Sequence, residues 1–346
     1  MRQIEIAEAR QMALEMLINS GFSDSNAEKI IRNVLECELT GQKAHGLARL
    51  ENIIKTQKKI SNVTPISLTQ IAPNCILVDG GQNNGIVAIE KAIDAALNFN
   101  LKDNPISMIA VKNYSGNTGV LGNYARKLAD NDLISIFFGS SSPRVAPYNG
   151  MEPILGTNPM AVGVPNGDNP IIIDFSTAAI TAGEISIAAR EHRALPEGTI
   201  LDKDGNSSTN PHDAKDGVQL PMAGHKGYAL GLMMDLFANV FTGAMNSDNV
   251  NKSIGTMIII QKPDIFISKQ KFLETLNLRL GVIKKSKLAV GATEIRIPGD
   301  KYKTLLNKNL QSGKISVSQE LYCSFTKLYK DLCVSNMYEV TKKTAA

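Results

Sequence analysis

Gly116-Asn117-Thr118-Gly119-Val120-Leu121-Gly122 follows an apolar run that ends at Val111 and precedes an amphipathic run to Ala129. Strand, glycine-rich turn and helix in that order are the setting of a nucleotide-binding turn. The glycines, however, are spaced GxxGxxG. A Rossmann fingerprint needs its first two glycines one residue apart, the first for the tight turn and the second so that the backbone can approach a pyrophosphate. The stretch therefore argues against a Rossmann domain within a region of α/β texture.

Around it, strands are expected at 75–78, 106–111, 133–138, 160–164, 171–175 and 256–260, and helices at 86–97, 120–129, 180–189, 228–241 and 269–276. Such alternation makes an α/β layer from about residue 66 onward. The first 60 residues read as helical. Ile4, Ala7, Met12, Leu14 and Leu17 recur at near-helical intervals, Gly21 stops the run, and Asp24 or Ser25 caps a second helix through Ile30, Ile31, Val34 and Leu35. A third follows through Leu50, Ile53 and Ile54. The segment 196–222, rich in Gly, Asp, Asn, Ser and Pro, reads as a surface excursion with a hairpin turn at Asp204-Gly205. A helix over 317–333 and a polar, frayed tail over 340–346 close the chain.

Composition narrows the classes. The 346 residues are 43% apolar and 20% charged, ordinary for a folded protein, and 37 basic against 33 acidic residues leave only +4. The basic cluster Lys284-Lys285-Ser286-Lys287 has no aromatic neighbours on which bases stack, so it reads as a solvated face and not a nucleic-acid site. Charges interrupt residues 1–20 too often for a signal peptide, and a cytoplasmic protein is expected. The most apolar helix, 228–241, holds Asp235 and falls short of the roughly 20 residues a membrane span needs, so a buried core helix is expected there. Cys37, Cys75, Cys323 and Cys333 form no CxxC pair and have no histidine at ligand spacing, so no metal site is expected.

Two stretches concentrate the chemistry. In His45-Gly46-Leu47-Ala48-Arg49 an imidazole and a guanidinium four residues apart on a helix N-terminus face one side and can converge on a small anion, for which the arginine fork is shaped. A surface histidine with an unrelated arginine gives the same spacing. Gly224-His225-Lys226-Gly227-Tyr228 opens an apolar helix, so free N–H groups, the positive end of a dipole and a lysine point one way, as in phosphate sites. A capping turn whose glycines relieve strain reads equally well. Asp202-Lys203-Asp204-Gly205-Asn206 begins like a calcium loop, but Ser207 stands where that loop turns on glycine and Asp213 where it ends in glutamate.

These stretches come with Ser141-Ser142-Pro143, Ala146-Pro147, Leu155-Gly156-Thr157-Asn158-Pro159, Asp174-Phe175-Ser176-Thr177, Leu195-Pro196-Glu197-Gly198 and Pro298-Gly299-Asp300. In this order and spacing they resemble the type-2 malate/L-lactate dehydrogenase family, over about residues 5–330. That family also holds ureidoglycolate, sulfolactate and diketogulonate enzymes and reductases of cyclic imino acids. The resemblance implies a non-Rossmann α/β cofactor domain with a mixed sheet at 66–301 and a small helical domain from the chain ends, 1–65 and 302–346. It further implies a homodimer, NADPH or NADH as cofactor, and a small carboxylate substrate: a 2-oxo acid, or a cyclic imino acid, interconverted with its 2-hydroxy or amino acid. His45 is then the acid/base, Arg49 holds the substrate carboxylate and Thr157 lines the pocket. The cofactor is held by Asn117, Thr118, Gly119, Val120 and Leu121, by Asp174, Phe175 and Ser176, by His225 and Lys226, and near Gly299. A histidine with a pKa near 6.5 can protonate oxygen or nitrogen as hydride arrives.

Some positions depart from the family pattern. Ala44 stands where a serine usually precedes the histidine, Asn117 where another histidine lies in the pattern N-H-F-G, and Tyr148 where a tryptophan often follows Ala-Pro. Asn117 can hydrogen-bond a cofactor amide but cannot transfer a proton at neutral pH. Gly183-Glu184 replaces the glycine-lysine of many hydroxy-acid members and is similar to imino-acid reductases. A catalytic Glu184 beside His45 raises the imidazole pKa and keeps it protonated for an imine, whereas an exposed helical glutamate is the plain alternative. The departures at Ala44 and Asn117 keep open a second reading, a member of the fold that binds nucleotide or a partner with impaired catalysis.

Overall fold

The computed structural model describes residues 1–249 and 253–334. It opens with β1 (Arg2–Glu5), α1 (Ile6–Ile18), α2 (Asp24–Leu39) and α3 (Leu50–Lys59). Next come β2 (Ser67–Ala72), β3 (Cys75–Asp79), α4 (Gly85–Ala95), α5 (Leu101–Asp103), β4 (Ile106–Lys112), α6 (Leu121–Ala129), β5 (Ile134–Gly139), β6 (Met160–Val164), β7 (Ile171–Phe175) and α7 (Ala182–Arg190). Short strands β8 (Ile200–Leu201), β9 (Ser207–Ser208) and β10 (Val218–Gln219) precede α8 (His225–Asp235), which runs on as a π-helical segment, Leu236–Phe241. The chain finishes with β11 (Thr256–Gln261), α9 (Lys269–Lys284), α10 (Asp300–Ser312), β12 (Lys314–Val317) and α11 (Gln319–Tyr329).

Seven strands make one sheet in the order β2-β3-β4-β11-β5-β6-β7. Only β3 and β4 run parallel, connected through α4; the other neighbours are antiparallel. The sheet is therefore mixed and not the parallel doubly wound kind, in line with the GxxGxxG spacing. Alternation along its strands supplies both faces. Ile109, Val111, Phe137, Ile258 and Ile260 pack with Ile89 and Ile93 of α4 and Leu128 of α6. The intervening Met108, Ile136, Phe138, Met257 and Ile259 meet Met233 and Met234 of α8. With β4 and β5 on its flanks and both faces covered, β11 reads as a nearly continuous apolar run.

The chain ends share a second core. Ile4 of β1 pairs with Ile315 of β12, and Ala13, Leu17, Ile31, Val34, Ile53 and Phe325 cluster with them. This pairing corrects two expected boundaries. The first helix begins at Ile6, because Arg2–Glu5 is drawn into a ribbon whose other strand lies at the far end of the chain. Val317 likewise ends β12, and the last helix starts after Ser318, whose hydroxyl accepts the N–H of Leu321 at 3.1 Å. α10 has no counterpart among the expected helices, and α9 runs on to Lys284.

The helix at 228–241 is not the buried core helix its composition predicts. Met234 and Ala238 are fully buried, whereas Leu236, Val240 and Phe241 are 49%, 53% and 66% exposed. The Asp204-Gly205 turn forms as expected: Asp202 Oδ1 accepts the N–H groups of Asp204 and Asn206, both at 2.9 Å, and Leu201 pairs with Ser207. The tail at 340–346 lies outside the described residues. Among the described residues no helix is long and apolar enough to cross a membrane.

Candidate active site

Glu38, in the last turn of α2, is only 3% exposed. Beyond α2 the chain makes two successive 3-10 turns, Lys43–His45 and Leu47–Arg49, separated by Gly46. His45 and Arg49 therefore do not share the face of one regular helix, as their spacing predicts. Glu38 fixes the break. Its Oε2 accepts the N–H of Leu47 at 3.0 Å, and a Cβ on Gly46 would stand 2.2 Å from that oxygen. Nothing in the local pattern marks Glu38, whose role depends on the chain folding back over α2.

His45 Nδ1 and Arg49 Nε are buried without a hydrogen-bond partner. Burial, and then the charge of Arg49, push the His45 imidazole down to about 4. Burial, and then the charge of Arg144, hold the Arg49 guanidinium below its ordinary range. One cation thus acts on a neutral imidazole and a second acts on that cation, an arrangement that an anionic ligand completes. Arg144 is missing from the residues singled out by sequence. Its backbone is pinned by Leu155, whose carbonyl accepts its N–H at 2.8 Å, and by the N–H of Gln219, which donates to its carbonyl at 3.0 Å.

The expectation of Glu184 as a carboxylate acting on His45 is corrected. Its Oε2 accepts the N–H and the hydroxyl of Thr181, both at 2.9 Å, while its own N–H donates to Thr181 Oγ1 at 3.1 Å. That is a capping box at the start of α7, with the glutamate exposed. His45 is shifted down, not up, and its shift has no carboxylate contribution. What approaches the His45 turn is Gly183, where a Cβ would lie 2.4 Å from the Cβ of Ala44.

Thr157 ties its own stretch to the chain just beyond β5 and β7. Its N–H donates to Ser141 Oγ at 2.9 Å, and its carbonyl accepts from Ser176 Oγ at 3.0 Å and from the Thr177 N–H at 3.0 Å. The buried Asn158 beside it donates from Nδ2 to the carbonyl of Gly231 in α8 at 3.0 Å. Thr157, Ser176 and α8 are thereby held in one network.

The expected cofactor residues fall into two groups. In the first, Asn117 Oδ1 accepts the Gly119 N–H at 3.0 Å, Thr118 offers its carbonyl to the Tyr124 hydroxyl at 2.6 Å, and Val120 leads into α6 at Leu121. Asp174 of β7 accepts the N–H of Gly122 at 2.8 Å, which joins the turn to Asp174-Phe175-Ser176. Asp174 keeps an accessible side chain yet lies in a protein-dense recess, and this loss of solvent pushes its carboxyl up to about 6. Pro298 joins the same group, its carbonyl accepting the Ile172 N–H at 3.1 Å, so Gly299 sits beside β7. Asn117 Nδ2 is buried with no acceptor, an open donor that suits the carbonyl of a nicotinamide carboxamide or a phosphate oxygen.

In the second group, His225 and Lys226 are exposed at the start of α8, whose first N–H groups have no side-chain cap. The His225 ring meets Tyr148 edge-on, with centroids 5.9 Å apart. No hydrogen bond or ion pair among the described residues joins this pair to His45 or Asn117; the link runs through α8 to Asn158 and Thr157.

The profile of the malate/L-lactate dehydrogenase family matches residues 4–325. The malate/(S)-sulfolactate dehydrogenase of Methanothermus fervidus is 28% identical over 313 residues, 88% of this chain and 91% of that protein. A Δ1-pyrroline-2-carboxylate reductase of Agrobacterium fabrum is 30% identical over 253 residues, 71% of this chain and 72% of that protein. The solved sulfolactate dehydrogenase of Methanocaldococcus jannaschii superposes with a TM-score of 0.82 at 26% identity, covering 96% of this chain and 97% of that one. With a profile match over almost its whole length, the chain belongs to the malate/L-lactate dehydrogenase family.

Proposed function

We propose that the His45 site oxidises a small 2-hydroxy acid to its 2-oxo acid, and runs the reverse reduction, with Arg49 holding the carboxylate. Family membership makes the chain an NAD(P)-dependent oxidoreductase of the malate/L-lactate dehydrogenase type. The observation that carries the reading is the half-buried, neutral His45 under the charge of Arg49, which is in turn under the charge of Arg144. A neutral imidazole is ready to take the proton of a substrate hydroxyl, and a guanidinium fork matches a carboxylate. An open-chain substrate is favoured over a cyclic imine because Glu184 is spent on capping α7 and leaves no carboxylate to keep His45 protonated. Arg144 offers a second positive charge, which suits the dianions named among the relatives, malate and sulfolactate.

In this mechanism Arg49 orients the substrate so that its hydroxyl meets the imidazole. The bound nicotinamide supplies the hydride chemistry. Asn117, the N–H groups at the start of α6, Asp174 and the turn at Gly299 would hold the cofactor, together with His225 and Lys226. Thr157 lines the substrate pocket.

The proposal includes a helical domain of 1–65 with 302–346, supported by the shared core of α1, α2, α3 and α11, and a cofactor domain of 66–301. It also includes a cytoplasmic homodimer, supported by the exposed apolar face of the segment after α8, since a patch of this kind on a folded chain marks an interface. The test is loss of reduced-nicotinamide absorbance on offering pyruvate, oxaloacetate and a six-membered cyclic imino acid to the purified protein. Turnover of oxaloacetate above the others is expected. Turnover of the cyclic imine alone overturns the hydroxy-acid reading, and cofactor binding without any turnover favours an impaired member of the fold.

A further inference from the structure

Asp235 is the one acid in the most apolar helix, 228–241, and no step of the mechanism uses it. It closes α8, half-buried, and its carboxylate accepts from two carboxamides, Asn158 and Asn239, the second donating from Nδ2 at 2.8 Å. Those two carboxamides are 0% and 2% exposed. A carboxylate only accepts, so it turns the NH2 of each amide towards itself and the oxygen of each away. Both oxygens then meet the segment that follows β5. Asn158 Oδ1 accepts the Ser141 N–H at 3.4 Å, and Asn239 Oδ1 accepts the Ser140 hydroxyl at 2.7 Å. Ser140 is held from the other side as well, its Oγ accepting the N–H of Gly255, the residue before β11, at 2.8 Å. Asp235, Asn158, Ser141, Ser140 and Asn239 thus close a ring whose hydrogen-bond directions start from the carboxylate.

The Thr157 turn is built on this ring. Ser141 Oγ accepts the Thr157 N–H at 2.9 Å and lies 3.2 Å from Thr157 Oγ1. Asn158, next in the chain, sits at φ +32°, a conformation that a residue other than glycine keeps only when its surroundings fix it. Gly156 lets the two sides close up: a Cβ there would stand 2.2 Å from the Ser141 carbonyl oxygen and 2.5 Å from Asn158 Oδ1. The Thr157 hydroxyl is therefore reached from Asp235 by two routes, through the backbone of Asn158 and through Ser141. Packing of α8 on the sheet needs no acid at 235, since Met234 beside it supplies that contact. A satisfied polar network among apolar side chains instead selects one arrangement of its neighbours.

We propose that Asp235 is a positioning residue for the reaction, holding the Thr157 hydroxyl at the substrate through Asn158 and Ser141. The proposal rests on the reading of Thr157 as a wall of the substrate pocket.

Steady-state kinetics with oxaloacetate, beside titration of NADPH and NADH by the fluorescence of the reduced nicotinamide, test the proposal in the purified full chain. Asp235→Asn offers one oxygen in place of two and brings two donors into a ring whose acceptors are taken. It is expected to raise KM about tenfold, the factor of one hydrogen bond to a charged group, with kcat and cofactor affinity within about twofold of the unaltered protein. Adding Asn239→Asp restores the ring: the new amide at 235 accepts from Asn158 and donates to the new carboxylate at 239, which accepts the Ser140 hydroxyl. KM of this double variant is expected to return towards that of the unaltered protein. A lowered Tm with unchanged KM in Asp235→Asn, or an equal weakening of substrate and cofactor, makes Asp235 a support of α8 alone and overturns the proposal. A KM that stays raised in the double variant, or a double variant that does not fold, overturns it too. Where Asp235→Asn alone does not fold, the double variant decides by the same two readings. Thr157→Val separates the proposal from the reading beneath it. An unchanged KM there, or no turnover of oxaloacetate by the unaltered protein, removes that reading and the proposal with it, whereas a raised KM in Thr157→Val with none in Asp235→Asn overturns the proposal alone.

Discussion

Glu38 Oε2 and the space above Gly46 Cα coincide: a Cβ there would come within 2.2 Å of the carboxylate oxygen that receives the Leu47 N–H. The close approach sets the path of the chain between His45 and Arg49. Gly46→Ala must push the carboxylate or the turn aside, a forced repacking that costs about 1–3 kcal/mol. The expected outcome is a lowered melting temperature together with a raised KM, because the turn carries both side chains that the proposed mechanism sets on the substrate. Unchanged melting and kinetics would show that the contact does not position the site.

Arg49 acts on His45 and, in the proposed mechanism, on the substrate. Removing its charge in Arg49→Met takes away the second cause of the depressed imidazole pKa, so the pKa of His45 rises towards its ordinary value of 6.5 while burial still holds it below. Histidine proton resonances followed against pH in the two proteins measure the shift. The same variant loses the carboxylate fork, and kcat/KM is expected to fall by about a hundredfold or more, mostly through KM. A downward shift of the His45 resonance titration would contradict the arrangement.

The depressed His45 pKa also fixes a sign for stability. Between about 4 and 6.5 the unfolded chain protonates this histidine and the folded chain does not, so the His45 contribution to stability is whole above 6.5 and falls away as pH drops to about 4. Asp174 works in the opposite sense, since its folded carboxyl, raised to about 6 from 3.8, binds a proton first and adds stability as pH falls through 6. The two offset each other in a single melting curve, so the difference between proteins is the informative quantity. His45→Gln is expected to gain melting temperature relative to the unaltered protein as pH falls from 6.5 towards 4, and to lose about a hundredfold or more in kcat at neutral pH. A pH-independent difference would place the histidine in solvent.

Strands that alternate or run apolar were legible because their period is local: Met160–Val164 and Ile171–Phe175 have the limits that the sequence predicts. β1 and β12 were not, because each is a strand only by virtue of the other, and neither contains a pattern that outweighs helical spacing. At the site, His45, Arg49 and Asn117 stood out by residue type beside glycine. Glu38 and Arg144 did not, since each gains its meaning from a residue outside its own local pattern: Leu47 folded back on α2, and Arg49. Glu184 was misread for the converse reason. Thr181-Ala182-Gly183-Glu184 is also a capping-box sequence, and the backbone claims the carboxylate before any histidine does.

That claim sets the expected behaviour of Glu184→Gln and Glu184→Ala. A glutamine can still accept from the Thr181 N–H, whereas alanine cannot, so the alanine variant alone should lose about 0.5–2 kcal/mol of stability at the start of α7. Neither should move the His45 titration, because the carboxylate makes no contribution to it. Gly183 adjoins Ala44, so fraying of α7 reaches the His45 turn by contact and not by charge, and the alanine variant is expected to raise KM modestly without changing the pH profile. A shift in the pH dependence of kcat/KM in Glu184→Gln, with melting temperature unchanged, would return the glutamate to the chemistry and the substrate to the cyclic imines.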